Sequence, residues 1–176
     1  MRRFLFLLPR LCTVSLAVLA LGCGHAALDV KIPREEVVTL ISKQFPITRT
    51  AASLTVTLSQ PRVRFDGEHN RIEISSDLDV AMTGIPAGPG RVTIDAALAT
   101  GDGGVLLQDV EVRDVTLDAS VGENADVMKK FVSQSLVQSL EGLKIYSFGA
   151  DTLASRSVAG IAVTEDGLEV HLEMAP

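Results

Sequence analysis

The chain has 176 residues, with 16 basic and 22 acidic side chains and a net charge of −6. The absence of a long basic run argues against nucleic acid as a partner. Trp is absent and aromatic residues make up only 4%, so any core must be built from Val, Leu, Ile and Ala.

Arg2, Arg3 and Arg10 open the chain, and no acidic residue occurs before Asp29. The apolar run Leu11 to Leu21 is shorter than the roughly 20 residues a membrane span needs. A basic start, a short apolar core and then small residues describe a secretory signal peptide. Two cleavage points fit. One follows Ala26, with Gly24 and Ala26 as the small residues, and leaves Cys23 a spectator. The other precedes Cys23, in the pattern of bacterial lipoprotein precursors. There Leu, a small residue and Gly or Ala come before the cysteine, and here the run is Ala20-Leu21-Gly22-Cys23, with Ala20 where Leu is usual.

The second reading is favoured. It makes residues 1–22 the signal, 23–28 a tether lipidated at Cys23, and 29–176 a single domain, a usual size for one core. Cys12 is the sole other cysteine and lies in the removed segment, so no disulfide is expected. Several acyl chains anchor a protein stably where one does not. Gly24, in place of an acidic residue, resembles the pattern sorted to the outer membrane, so the expected location is its periplasmic face. Loss of the three arginines takes the net charge to −9. Attachment should then come from lipid and not from a basic patch.

Ala27 to Ile32 is either a strand or part of the tether. Pro33 opens "PREEVVTLISKQF". Pro at the start and Glu35 and Glu36 in the first turn are helix-start signals. Val37, Ile41 and Phe45 form one stripe beside Val38, and Pro46 ends it. The middle of the chain reads as β. "SLTVTLS" alternates through Leu54, Val56 and Leu58, is interrupted at Pro61, and continues with Val63 and Phe65. After the turn "DGEHN", "RIEISSDLDVAMTG" places Ile72, Ile74, Leu78, Val80 and Met82 on one face, with Ser76 the one polar entry among them. "PAGPG" turns the chain into "RVTIDAALAT", with Val92, Ile94, Ala96 and Leu98 on one side. "GDGG" leads to "VLLQDVEVRDVTLDA". The parity slips there between Val112 and Val115, which predicts a bulge or bend near Asp114. Short turns between these strands predict an antiparallel meander.

"ENADVMKKFVSQSLVQSLEGL" carries Val127, Met128, Phe131, Val132, Leu136 and Leu140 at helical spacing. Lys129, Lys130, Gln134, Gln138 and Glu141 occupy the other face. Asn124 is the candidate cap and Gly142 the stop. A helix of about five turns over one face of the sheet is expected. "LKIYSF", a small helical piece around Asp151 to Val158, and a hairpin of "IAV" and "LEVHL" about "TEDG" complete the chain.

The residues point away from catalysis and metal binding. His25, His69 and His171 lie in no motif with a Ser, Cys or acidic partner, and read as solvent-exposed. Asp77 and Asp79 share a polar strand face, but a metal would need further oxygen ligands. The glycines of "GPG" and "GDGG" precede no helix, so they make turns and not a phosphate cradle. The expectation is a protein without enzymatic activity and without a cofactor. A wide sheet with one helix to cover it leaves two outcomes: a filled core, or a residual apolar groove suited to an acyl chain. Such a groove would lie between Phe131, Leu136 and Leu140 on the helix and Ile74, Leu78, Val80, Ile94 and Leu98 on the strands.

The segment order, from a lipoprotein signal ending at Cys23 through "PREEVVTLISKQF", "RIEISSDLDVAM", "GVLLQDVEVRDVTLDA" and "VMKKFVSQSLVQSL" to "GIAVTEDGLEVHL", resembles the YceB-like family of bacterial periplasmic lipoproteins. That resemblance implies an α+β fold, in which a strongly bent antiparallel sheet wraps one long amphipathic helix behind a short N-terminal helix. It is similar to one module of the tubular lipid-binding superfamily, which includes bactericidal permeability-increasing protein and synaptotagmin-like lipid-transfer domains. It implies a lipid or fatty acyl ligand and supplies no catalytic residues. Two functions are therefore expected: binding or shuttling of a lipid by the anchored domain, or a scaffolding or regulatory role through contacts with a protein partner.

Overall fold

A computed structural model describes residues 27–51, 54–83, 88–118, 125–148 and 158–173. Residues 1–26, with Cys23 and the expected signal segment, lie outside them, as do the candidate cap Asn124, Pro86 and Ala87 of the "PAGPG" turn and residues 151–157. The first strand, β1 (Ala27–Pro33), settles the choice between strand and tether for those residues. Helix α1 (Arg34–Lys43) follows, with Glu35 and Glu36 in its first turn and Pro33 at its cap. Pro33 offers no capping side chain. The Arg34 N–H instead donates to the Asp166 carbonyl at 2.8 Å, which ties the helix start to the last hairpin. Val37 and Ile41 bury the inner face.

Six strands then run in chain order: β2 (Ile47–Ala51), β3 (Leu54–Asp66), β4 (Arg71–Met82), β5 (Pro89–Gly101), β6 (Gly104–Leu117) and, after the second helix, β7 (Lys144–Ser147). Each pairs antiparallel with the next, giving one sheet in the order β2-β3-β4-β5-β6-β7. The alternation that predicts them is the alternation of burial. Ile72, Ile74, Leu78 and Val80 are buried, as are Val92, Ile94, Ala96 and Leu98. Pro61 does not end β3. A register shift between Ser59 and Arg62, with Gln60 at φ 52°, absorbs it, as bulges do for proline in strands.

β6 carries two bulges. Thr93 faces Asp114 and Ile94 faces Val112, so Arg113 is the extra residue, next to the position the parity slip predicts. Asp95 faces Glu111 and Ala97 faces Gln108, a second shift in which Asp109 adopts φ 52°. The sequence pattern did not lead us to expect this one.

Helix α2 (Ala125–Leu140) buries Met128, Val132, Leu136 and Leu140, one residue per turn. Gly142, at φ 74°, stops it. It packs on β6 and reaches β2. The sheet curls, bringing these two strands to the same helix. The last hairpin, β8 (Val158–Thr164) and β9 (Gly167–Glu173), joins β1 in a second sheet of order β1-β9-β8. β8 packs on β5 and β3. Side chains from both sheets and both helices form one buried cluster.

The expected α+β architecture, one bent sheet wrapped around one long helix, is overturned. The described chain is dominated by nine strands in two sheets, with helices of only 10 and 16 residues. The reason lies in α2 itself. A helix encircled by sheet must be apolar nearly all round. Here a single line of side chains is buried, while Val127 and Phe131 are 58% and 52% exposed. α2 therefore lies on the sheet and is not enclosed by it.

Candidate functional site

β6 has two neighbours for only part of its length. On one side β5 pairs with it from Gly104 to Leu117. On the other, β7 reaches only Gly104, Val105 and Leu106. The turn between α2 and β7 carries the contact a little further. Leu107 N–H donates to the Leu143 carbonyl at 2.9 Å, and Gly142 N–H donates to the Leu107 carbonyl at 2.8 Å. Glu141, at the end of α2, then accepts the N–H groups of Asp109 and Val110 at 3.1 and 3.0 Å. Among the described residues, no strand pairs with this edge of β6 from Gln108 to Leu117.

α2 runs beside that open edge. Val110, Glu111 and Val112 of β6 and Ser133, Gln134, Val137 and Gln138 of α2 line a groove of about 640 Å³. This is within the size range of small-ligand sites, but its lining is mixed. Val110 is buried and Val112 and Val137 are half-buried, which makes an apolar floor. Glu111, Gln134 and Gln138 are exposed and make a polar rim. Val127 and Phe131 precede Gln134 and Gln138 at helical spacing, so these four share the solvent-facing side of α2.

The outer face of the sheet near the Glu141 end carries an ion network. Arg71 Nε meets Asp95 Oδ1 at 2.7 Å, and Arg71 Nη1 meets Asp109 Oδ2 at 2.8 Å. Arg71 Nη2 also donates to the Asp109 carbonyl at 2.7 Å. Arg113 donates to Asp95 Oδ2 from Nε and Nη2, at 3.0 and 2.6 Å. Arg71 and Asp95 side chains are 16% and 15% exposed, so this is more than a surface pair. Burial pushes the Asp95 carboxyl up, but hydrogen bonds and charge from Arg71 and Arg113 outweigh it and hold the group below the usual carboxylate range. The hydrogen bonds Arg71 donates to Asp109 and Asp95 raise its guanidinium above the ordinary value. The network grips both irregular positions of β6, Asp109 directly and Arg113 through Asp95, and so fixes the shape of the strand at the groove.

Of the eight side chains expected to line an acyl groove, Leu136, Leu140, Ile74, Leu78, Val80, Ile94 and Leu98 are all buried, the last at 9% exposure. They belong to the shared core cluster, and none lines the groove beside β6. Phe131 is corrected. It sits on the outer side of α2 because the buried line runs through Met128, Val132, Leu136 and Leu140, and Phe131 lies about 100° from Val132 around the helix. Cys23 lies outside the described residues.

Two histidines have acidic partners that sequence spacing did not reveal. His171 Nδ1 lies 2.7 Å from Asp29 Oδ1, across the β1–β9 pairing. His69 Nδ1 lies 2.9 Å from Asp66 Oδ2 in the β3–β4 turn. Both are surface pairs. Asp77 lies 3.7 Å from Arg91, and Asp79 is exposed.

The open edge of β6 was not foreseen from the sequence. One signal was present. Val105 and Leu107 are odd-numbered while Val110 and Val112 are even, which marks the Asp109 bulge. A scan against protein-family models and a search of the curated proteins returned no match for this chain.

Proposed function

We propose that the protein is a lipid-anchored component of a bacterial cell envelope that has a filled core and works by holding a protein partner. The observation that carries this reading is the fate of the anticipated groove. Seven of its eight side chains are buried together in the common core. Protein interiors pack like organic crystals, so an acyl chain between α2 and the strands would have to displace Leu136 and its neighbours. The open edge of β6 and the exposed Val127 and Phe131 put the available contact surface on the outside, where a partner protein can reach it. The features around Cys23 support export and anchoring, and favour the periplasmic face of the outer membrane. The proposed kinship is with the YceB-like lipoproteins, without the wrapped helix which that resemblance implied.

The test compares two masses of the full chain extracted gently from membranes. Denaturing mass spectrometry should show a covalent lipid increment on a chain that begins at Cys23. Native mass spectrometry should show that mass and no more. A discrete additional mass that disappears on denaturation would be a non-covalent lipid, and it would overturn the filled core in favour of lipid carriage.

A further inference from the structure

We infer that the groove between β6 and α2 receives an extended peptide segment of a partner protein, which adds to the open edge of β6 as a further antiparallel or parallel strand. The inference rests on the proposed role in protein contacts and names its chemistry. Three observations carry it.

The first is the outward main chain at Val112, which among the described residues has no partner strand. Val110 N–H points away from β5, toward Glu141. Strand alternation turns the N–H and C=O of Val112 to the same side, into the groove. An acyl chain cannot satisfy these groups, whereas a peptide backbone can. An open strand edge with a helix alongside is the geometry in which strand addition occurs. Main-chain hydrogen bonds then supply affinity and alternate side chains supply selectivity.

The second is the composition of the walls. An added strand would set every second side chain on the apolar floor of Val112 and Val137 and leave the others toward Glu111 and Arg113. Small or branched apolar residues at alternate positions of the partner fit that floor.

The third argues for a short partner segment and against a second copy of the chain. Long open edges invite self-pairing, and natural edges suppress it with charges and bulges. The edge of β6 carries Asp109, Glu111, Arg113 and Asp114, and bulges at Asp109 and Arg113 bracket its straight portion. Glu141 closes one end by occupying the Asp109 and Val110 amides. What stays open is a few residues centred on Val112, enough for a short peptide and too little for edge-to-edge pairing of two sheets.

The probe is a set of nine-residue peptides selected from a random displayed library on the full chain in detergent, then synthesised with a fluorescent label. The expected result is binding tighter than about 100 μM by fluorescence anisotropy. Methylating the peptide's backbone nitrogens one at a time should weaken binding about tenfold or more at alternate positions and leave the intervening positions unaffected. Val112→Pro deletes the outward N–H, and strand edges accept proline where that group faces no neighbour. It should abolish binding, while Val112→Thr retains it. Should Val112→Pro fail to fold, the methylated peptides and slowed amide exchange at Val112 on binding decide the same question. A failure to select any peptide, or binding indifferent to backbone methylation and to Val112→Pro, overturns the inference. These outcomes are separable from failure of the parent reading. A co-purifying non-covalent lipid refutes the filled core, whereas a lipid-free chain that takes no peptide refutes strand addition alone.

Discussion

Ser76→Ala should make the protein more stable. Ser76 is fully buried on the inner face of β4, between Ile74 and Leu78 and opposite Val92, which is also 0% exposed. Its hydroxyl has no hydrogen-bond partner among the described residues. Leaving a buried hydroxyl unpaired costs about 1–3 kcal/mol. Removing the oxygen forfeits the dispersion contacts of one heavy atom and leaves a void smaller than a methyl group, a loss below about 1 kcal/mol. The balance is a gain of about 1 kcal/mol. For a chain of this size that raises the melting temperature by roughly 2–4 °C. In urea, where the slope for a small protein is about 1–3 kcal/mol per molar, the midpoint should rise by roughly 0.3–1 M with the slope unchanged. Ser76→Thr keeps the hydroxyl and adds a methyl group to a closed site, so it should not stabilise. A lower midpoint for the alanine variant would mean that the hydroxyl is bonded in the folded protein, and the desolvation argument would be wrong.

Leu136 is 1% exposed, so Leu136→Ala should cost roughly 2–5 kcal/mol in urea unfolding. Leu136→Trp should also destabilise, by about 1–3 kcal/mol or more, because the site has no room for the larger ring; a neutral tryptophan would reveal a cavity. Cys23→Ser should move the protein from the membrane fraction to the soluble fraction, and a variant that stays with membranes removes the lipid anchor from the account. The Asp95 carboxyl is held below its ordinary value of 3.8, so the folded chain takes up that proton less readily than the unfolded chain. Its contribution is present above that value and is lost as the pH falls through the lower folded value. Asp95→Asn should therefore lower stability at neutral pH and flatten the acid limb of a stability–pH profile. An acid limb of unchanged steepness would show that Arg71 and Arg113 do not govern that carboxyl in solution.

Strand content was legible in the sequence because period-two burial is local. Ile72 to Val80 and Val92 to Leu98 declare their inner face residue by residue, and the slip between Val112 and Val115 located the Arg113 bulge. β2 was missed because "ITRTA" offers one large apolar residue and no run of alternation. Its place comes from pairing with Leu54 to Leu58. The second sheet was hidden for a related reason. Nothing within residues 27–33 specifies that they pair with residues 167–173 and not with a nearer strand. Phe131 was misassigned because Val127, Met128, Phe131 and Val132 form a broad apolar arc, and amphipathicity alone does not say which edge of that arc turns inward. Packing on β6 chose the Met128–Leu140 line. The groove was least legible of all, since it arises where, among the described residues, no second strand flanks β6. β7 is four residues long against the fourteen of β6.

The pairing of β1 with β9 also sets an order of assembly. Asp29 and His171 meet although 142 positions separate them in sequence. A chain is made from its N-terminus, and each strand from β3 to β6 can close on the strand made just before it. β1 cannot. It emerges first and must wait for the last strand, and such long-range closure is the slow part of forming a β protein. The segment adjoining Cys23 is therefore the last to take its place. A chain cut short before Gly167 would leave β1 without its β9 partner, with a free strand edge exposed.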